Sequence, residues 1–246
     1  MRHEVSTRRS VVARMGVLLL FVLGASFALV YLRRSEVLIV SPFALLRTNH
    51  ELSYQLLSLG VAGAMIAMST MLAGRGTLSY LRLNTLSGEI KPVRWLGIRP
   101  KEGESWTKLG INFLVIITLV TAVVVFLPVV RDGSFTFSFT GVLLPALLFA
   151  VSNSFAEEAI YRHSVTSVFL ESGLPASAAA LTSAGLFGAV HYFGTPGGVP
   201  GVFLAGFLGW FLSKSMAETR GFAWAWIIHG AQDVVIFAAL FGTSSA

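Results

Sequence analysis

Long apolar runs separated by shorter polar segments dominate this sequence. Seven such runs occur, at residues 15–32, 52–73, 111–130, 134–170, 176–191, 199–213 and 222–241. A helix needs about 20 apolar residues to cross the roughly 30 Å hydrocarbon core of a bilayer, and most of the runs approach that length. The run at 134–170 is longer and less regular than the others. The pattern therefore predicts an all-α fold, a polytopic transmembrane helical bundle of about seven spans.

The composition excludes two broad classes of protein. Of the 246 residues, 54% are hydrophobic and only 12% are charged, and the mean hydropathy is +0.75. A water-soluble domain carries about 25% charged residues, and a disordered chain combines high charge with low hydrophobicity. The sequence contains no cysteine, so disulfides, thiolate metal sites and a cysteine nucleophile are also excluded.

The basic residues indicate membrane topology rather than nucleic-acid binding. The net charge is +6, and the 18 Lys and Arg residues lie mainly between the apolar runs. Four arginines precede the first run, and the longest polar connection, 74–109, carries seven further basic residues. Because cytoplasmic loops are enriched in Lys and Arg, we expect both segments, and with them the amino terminus, to be cytoplasmic. A multi-pass protein of the cell membrane is predicted, with the lipid bilayer and not nucleic acid as a partner.

Two arginines, Arg33 and Arg34, do not follow this charge pattern. They lie on the side that the pattern assigns to the outside. They also stand where a secretory signal peptide would carry small residues at its cleavage site. Because the run at 15–32 is long enough to span, we expect it to remain as the first transmembrane helix.

Ionisable side chains interrupt the apolar sequence in the second half of the chain. We divide the chain into amino-terminal membrane helices with the basic loop, residues 1–135, and a helical core, residues 136–246. The core contains Glu157, Glu158, Arg162, His163, His191, His229 and Asp233. An ionisable group at the bilayer centre costs about 3 kcal/mol, so a cluster of them is a functional hypothesis. The competing interpretation is that these residues reach the interface or only tie helices together.

Helix arithmetic places two of these residues at one depth. Ser172, Gly173 and Pro175 indicate a turn between two helices. At about 1.5 Å per residue, Glu157 lies roughly 24 Å from that turn along one helix, and His191 roughly 27 Å along the other. The two side chains are therefore expected to meet within the membrane, in a buried polar site between the four carboxyl-terminal helices.

Side-chain directions sort the same residues into pairs. Residues four apart share a helix face, whereas neighbours point about 100° apart. Glu158 is therefore expected to face Arg162, which leaves Glu157 free to face a cavity. By the same spacing, His229 and Asp233 share one face of the last helix.

This set of side chains suits the activation of water, because it includes no serine or cysteine nucleophile. Glu157 is the candidate general base, and His191 can hold the same water. His229 and Asp233 are then left to stabilise a developing oxyanion or to bind a metal. The set also satisfies zinc or another divalent cation, although the H-E-x-x-H spacing of the zincins is absent. The residues leave the need for a metal open.

Three short sequences carry a family resemblance. They are EEAIYR at 157–162, FGAVH at 187–191 and HGAQD at 229–233. In this order, on hydrophobic helices, they resemble the EExxxR, FxxxH and HxxxN/D motifs of the CPBP family. That family comprises the CAAX prenyl endopeptidases and the bacterial Abi proteins. The resemblance extends over residues 140–241.

The resemblance implies a CAAX protease-like intramembrane endopeptidase that acts on a membrane-anchored protein or peptide. In the family scheme a glutamate and a histidine activate the water that attacks the peptide bond. The residues implied are Glu157, His191, His229 and Asp233 as the catalytic set, with Glu158 and Arg162 in support. Position 233 is aspartate where an asparagine would donate a hydrogen bond, and an ionised aspartate cannot donate. Both metal-dependent and glutamic-type mechanisms have been ascribed to the family, so the cofactor stays open between none and a divalent cation.

Two other classes of function fit the same residues. An ion-coupled transporter would use them as a proton relay, although we find no inverted repeat that favours it. A non-catalytic, immunity-type membrane scaffold would keep the helices for binding alone.

Residues that flank the motifs are expected to be structural. Tyr161, His163 and Tyr192 are more often hydrogen-bonded amphipathic side chains than substrate contacts. Phe187 is expected to pack against His191, and the Gly-rich stretch at 194–201 is expected to be a plain interhelical loop.

Overall fold

The structure is a computed structural model that describes residues 2–243, without the side chains of residues 2–9 and Trp95. Within this range the chain forms eight α-helices, and the predicted all-α fold is confirmed. The helices are α1 (Arg2–Arg34), α2 (Leu46–Ala73), α3 (Trp106–Arg131), α4 (Leu144–Glu157), α5 (Val168–Glu171), α6 (Ala176–Val190), α7 (Gly198–Thr219) and α8 (Ala223–Gly242). Residues 1 and 244–246, at the ends of the two predicted regions, lie outside the described residues, and the division at 135/136 stays a prediction.

Six helical segments of the described chain are long and apolar enough to cross a membrane. They are Ser10–Arg34, Leu46–Ala73, Trp106–Arg131, Phe139–Glu171, Gly198–Thr219 and Ala223–Gly242. The chain is therefore a multi-pass membrane protein, and its orientation stays a prediction. The remaining run, 176–191, is helical as expected, but α6 has only 15 residues. A crossing needs about 20, so α6 lies among the spans as a shorter helix.

The long, irregular run at 134–170 corresponds to one composite helical segment, Phe139–Glu171. A π-helical turn at Phe139–Leu143 leads into α4, and a second π-helical stretch, Glu158–Ser167, joins α4 to α5. All ten residues of the second stretch are buried. A π-helix has a wider turn than an α-helix and occurs frequently at functional sites. The change of helix type explains why no single periodicity describes this run.

Helices α6 and α7 cross so closely that the contact requires glycine. A Cβ atom on Gly188 would lie 2.7 Å from the Val202 carbonyl oxygen and 3.2 Å from the Cα atom of Gly206. A Cβ atom on Gly209 would lie 3.1 Å from the Cα atom of Ala184. Small residues let two membrane helices approach closely and pack by van der Waals contact. The crossing holds the end of α6 against α7, and His191 is the next residue of the chain.

Gly188→Ala is expected to lower the unfolding temperature of the purified protein, because the added methyl group has no space at this crossing. Overpacking of a close contact costs about 1–3 kcal/mol. The matched control is Gly185→Ala on the same helix, where a Cβ atom would meet nothing within 4 Å. Alanine is the better helix former by about 0.5–1 kcal/mol, so the control is expected to be neutral or stabilising. Equal unfolding temperatures of the two variants in detergent would contradict the close crossing.

The amino-terminal helices are joined to the core by polar contacts. Helix α2 packs against α4 and the second π-helical stretch. In α1, the Ser26 hydroxyl lies 2.9 Å from the Tyr161 hydroxyl, within hydrogen-bond distance. Arg33 forms an ion pair with Glu51, and its Cζ atom lies 3.8 Å from the centre of the Tyr54 ring. These partners give Arg33 a structural role, which accounts for a positive charge that does not follow the loop pattern.

Candidate active site

Glu157 is the last residue of α4, and its carboxylate faces a cavity of about 610 Å³. The side chain retains 17% exposure, in contrast to the fully buried Glu158 beside it. Its Oε1 atom accepts a hydrogen bond from Asn153 Nδ2 at 3.3 Å, and its Oε2 atom lies 3.5 Å from His229 Nε2. The geometry matches the prediction that Glu157, and not Glu158, faces open space.

The buried imidazole of His229 lies between the two glutamates. Its Nδ1 atom is 2.6 Å from Glu158 Oε1, so the carboxylate accepts a hydrogen bond from the ring. On the other side of the ring, Nε2 lies 3.5 Å from Glu157 Oε2 and 3.6 Å from Asp233 Oδ1. Because neighbouring residues of a helix point apart, the two glutamates cannot meet at one atom. They reach opposite nitrogens of one ring instead, which the sequence did not predict.

His191 lies just beyond the end of α6, and its ring orientation is set by the backbone. The Nδ1 atom is 2.9 Å from the carbonyl oxygen of Phe187. A carbonyl oxygen only accepts hydrogen bonds, so Nδ1 carries the proton and Nε2 is left as an acceptor in the neutral ring. His191 lines the same cavity as Glu157. The two residues expected to share a water are therefore brought to one space.

Arg162 and Glu158 form an ion pair of 3.1 Å, and both side chains are fully buried. The predicted pairing of these residues, four apart on one face, is confirmed. The Cζ atom of Arg162 lies 3.7 Å from the centre of the Phe187 ring. The same ring contacts His191 and His229, at centroid distances of 4.1 Å and 5.5 Å. Phe187 thus packs against His191 as expected, and its ring also contacts Arg162 and His229.

Asn153 is a residue of the site that the sequence analysis missed. Its Nδ2 atom donates to Asp233 Oδ2 at 3.0 Å, in addition to its bond to Glu157. The sequence does contain a signal for Asn153, because it precedes Glu157 by four residues and therefore shares its helix face. The amide supplies a hydrogen-bond donor beside Asp233, the position at which the sequence departs from an asparagine.

The three residues that flank the motifs lie in different environments. His163 is buried and its Nε2 atom lies 3.0 Å from the Thr77 carbonyl oxygen, so it serves as a hydrogen-bonded structural side chain. Tyr161 borders the cavity and contacts Ser26 through its hydroxyl. Tyr192 is exposed.

Two cavities meet at the site. The larger is the cavity of about 610 Å³ in front of Glu157, and Arg33 and Arg34 also line it. The smaller, of about 240 Å³, shares His191 and Asp233 with the larger one. Its walls are mainly apolar side chains of α3 and α7, including Phe113, Ile117, Val120, Leu204 and Leu208. The site is therefore reachable from a partly charged space on one side and an apolar space on the other.

The donor set does not fit a resident divalent cation. Among residues 2–243, with the exceptions noted above, no group of three or more His, Asp or Glu side chains is arranged to hold a metal ion. The Asn153 amide donates N–H groups into the space between Glu157 and Asp233, where a cation would require oxygen lone pairs. Glu158 already occupies the Nδ1 side of His229.

Residues 111–235 match the family described as Rce1-like type II CAAX prenyl endopeptidases. The match covers just over half of the chain and contains all three motifs. The chain belongs to this family. As a member of the Rce1-like family it has the expected hydrophobic helices, and its motif residues converge as described above. No curated protein and no solved structure shows significant similarity to the chain.

Proposed function

We propose that this protein is an intramembrane endopeptidase that hydrolyses a peptide bond of a membrane-associated protein by means of activated water. The supporting observation is that Glu157 and His191 border one cavity inside a bundle of helices long and apolar enough to span a membrane. Family membership supports a protein substrate, because the family is named for its endopeptidases.

In the proposed mechanism Glu157 acts first as a general base. A water molecule in the cavity donates one hydrogen bond to Glu157 and another to His191 Nε2. As the water oxygen attacks the carbonyl carbon, its proton passes to Glu157, and the carbonyl oxygen becomes an oxyanion. When the C–N bond breaks, the same proton passes from Glu157 to the leaving amine. His191 holds the water in line for attack throughout.

His229 is the group assigned to the developing oxyanion. Its Nδ1–H donates to Glu158, so the ring is fixed while its Nε2 edge faces the reacting groups. A proton on Nε2 can then donate to the oxyanion. The buried pair of Glu158 and Arg162 supports this arrangement, because Arg162 balances the charge of the glutamate that holds His229. Asp233 borders the same space and accepts from Asn153.

The proposed substrate is a protein anchored in or at the membrane, because the catalytic groups lie within the helical bundle. The family name adds the hypothesis of a C-terminal CAAX sequence, in which a cysteine carries a prenyl chain. A quenched fluorescent peptide that ends in a CAAX sequence is tested in farnesylated and unmodified forms. The comparison shows whether cleavage requires the prenyl chain or only the peptide sequence. Cleavage of the farnesylated form alone supports a prenylated substrate, and cleavage of both supports recognition of the peptide itself.

The proposal is tested by comparing membrane proteins from cells that produce the wild-type or the Glu157→Gln protein at equal levels. New protein termini are labelled and identified by mass spectrometry. We expect a set of termini that requires Glu157 and that falls at least about a hundredfold in the variant, because glutamine cannot accept the proton.

The matched control for this comparison is Glu102→Gln, which changes an exposed glutamate of the connection between α2 and α3. It is expected to give the wild-type termini. If wild-type and Glu157→Gln cells produce the same termini, the endopeptidase mechanism is wrong. The transporter and scaffold alternatives both predict that result.

A further inference from the structure

The Asn153 side chain occupies the space between two carboxylates at the larger cavity. Its Nδ2 atom is 3.0 Å from Asp233 Oδ2 and 3.3 Å from Glu157 Oε1. An amide nitrogen carries two hydrogens, so each carboxylate accepts one of them. The residue is 8% exposed and lines the cavity wall. Asn153 therefore contacts both acidic residues without leaving either N–H group unused.

Gln55 of α2 fixes the orientation of this amide. Its Nε2 atom donates to Asn153 Oδ1 at 3.3 Å. If the Asn153 amide were rotated by half a turn, its oxygen would face two carboxylates and its NH₂ group would face that of Gln55. Both contacts are repulsive, so the network selects one orientation. Gln55 is held in turn by Ser152, whose hydroxyl donates to Gln55 Oε1 at 3.0 Å.

The hydrogen bonds continue from Gln55 to α1. Gln55 Nε2 donates to Glu51 Oε1 at 2.8 Å, and Arg33 Nη2 donates to the same oxygen at 3.2 Å. Gln55 and Glu51 are buried, so their polar atoms depend on partners within the protein. All three residues precede position 111, where the family match begins.

We propose that Asn153 is a positioning residue for Glu157 and Asp233, and that Gln55 holds it in the orientation that donates to both. This inference rests on the proposed function. Two carboxylates that lie within about 4 Å of one imidazole nitrogen repel each other, and the intervening amide offsets that repulsion. It keeps Glu157 directed into the cavity while Asp233 stays beside His229.

The proposal makes positions 153 and 233 a complementary pair of one amide and one carboxylate. Exchange of the two side chains restores one donor and one acceptor between positions 153 and 233 and conserves the net charge, but it does not restore the hydrogen bond to Glu157. Asn153→Asp alone removes the donor and adds a carboxylate between two others. Asp233→Asn alone changes a residue of the proposed catalytic set, so it serves only as the second single variant of the cycle, against which the double variant is compared. The exchange therefore separates the role of the pair from the role of either side chain.

The readout is the accumulation of the Glu157-dependent termini defined above, normalised to folded protein measured by size-exclusion chromatography. Asn153→Asp is expected to lower it about a hundredfold, the scale of a small misplacement of a catalytic group. The double variant Asn153→Asp with Asp233→Asn is expected to recover part of that loss, because it restores the contact between positions 153 and 233 but not the hydrogen bond to Glu157. A merely structural role for Asn153 predicts that the double variant is at least as impaired as Asn153→Asp.

Gln55→Leu tests the second part of the proposal. It is expected to lower the accumulation of termini about tenfold, and to add little in an Asn153→Ala background, because two residues that act through one contact are not additive. The matched control is Asn49→Asp on the same helix. The buried Asn49 amide donates to the Phe43 carbonyl oxygen at 2.7 Å, away from the site. The Asn49→Asp variant is expected to have a changed unfolding temperature. The amount of Glu157-dependent termini per folded protein is expected to equal that of the wild type.

The outcomes separate this inference from the function on which it rests. If Glu157→Gln retains the wild-type termini, the proposed function fails. If Glu157→Gln is inactive but Asn153→Asp equals the wild type, or the double variant shows no recovery, the inference is wrong and the function stands. If Asn153→Asp does not fold, the uncharged variants Asn153→Ala and Gln55→Leu decide, and wild-type accumulation in both overturns the inference.

Discussion

Replacement of His191 by glutamine is expected to lower substrate cleavage by about a hundredfold, the scale for misplacement of a reacting group, here the attacking water. The structural reason is that the Phe187 carbonyl oxygen accepts a hydrogen bond from His191 Nδ1–H, which leaves Nε2 as the acceptor of the neutral ring. Glutamine retains polarity, approximate size and an acceptor oxygen, but its flexible side chain does not hold that oxygen at the position that the fixed imidazole gives to Nε2. The measurement is the rate at which Glu157-dependent termini accumulate, per amount of folded protein.

His163→Gln is the matched control for this prediction. His163 is a buried histidine of the same bundle whose ring contacts the Thr77 carbonyl oxygen and not the catalytic cavity. We expect it to lower the unfolding temperature and to preserve cleavage by the folded fraction. Equal loss of cleavage in both variants would show that His191 contributes through stability and not through the reaction.

Replacement of Arg162 by methionine is expected to cause the largest loss of stability. The ion pair with Glu158 is fully buried, so removal of Arg162 leaves a carboxylate without its cation. Breaking a buried pair from one side costs about 3–5 kcal/mol, which lowers the unfolding temperature by roughly 10 °C in a protein of this size. Thermal unfolding in detergent, followed by tryptophan fluorescence, measures the shift.

A second variant distinguishes loss of charge balance from loss of packing. Glu158→Gln combined with Arg162→Met removes both charges and keeps an oxygen that can accept from His229, so it is expected to be more stable than Arg162→Met alone. Lys108→Met is the control for an exposed pair at the same spacing, and its effect is expected to be below about 1 kcal/mol. If Arg162→Met unfolds at the wild-type temperature, the buried pair does not stabilise the fold.

The general fold could be predicted because bilayer thickness imposes a length on apolar runs. Six of the seven predicted runs correspond to helical segments of spanning length. The exception, α6, was counted because its composition is as apolar as that of a span, although it is shorter. The π-helical stretch at Glu158–Ser167 could not be predicted, because it is stabilised by burial among neighbouring helices and no spacing rule identifies it.

The site could be predicted to the extent that it follows from helix geometry. Spacing by four residues identified the pairing of Glu158 with Arg162, and the same rule applied backwards from Glu157 would have found Asn153. Contacts between residues that are far apart in the sequence could not be predicted in this way. Gln55 is 98 residues from Asn153, and nothing in the local pattern of α2 indicates which helix its polar face contacts.

The hydrogen-bonded chain from Arg33 to Asn153 has a consequence for engineering. The region that matches the family begins at residue 111, so a chimera designed from this match alone would take its first two helices from another protein. Such a hybrid would retain every motif residue and lose the amide contact that Gln55 makes from outside the grafted part. The unit that has to be transplanted is therefore larger than the region that matches the family, and it has to include α2.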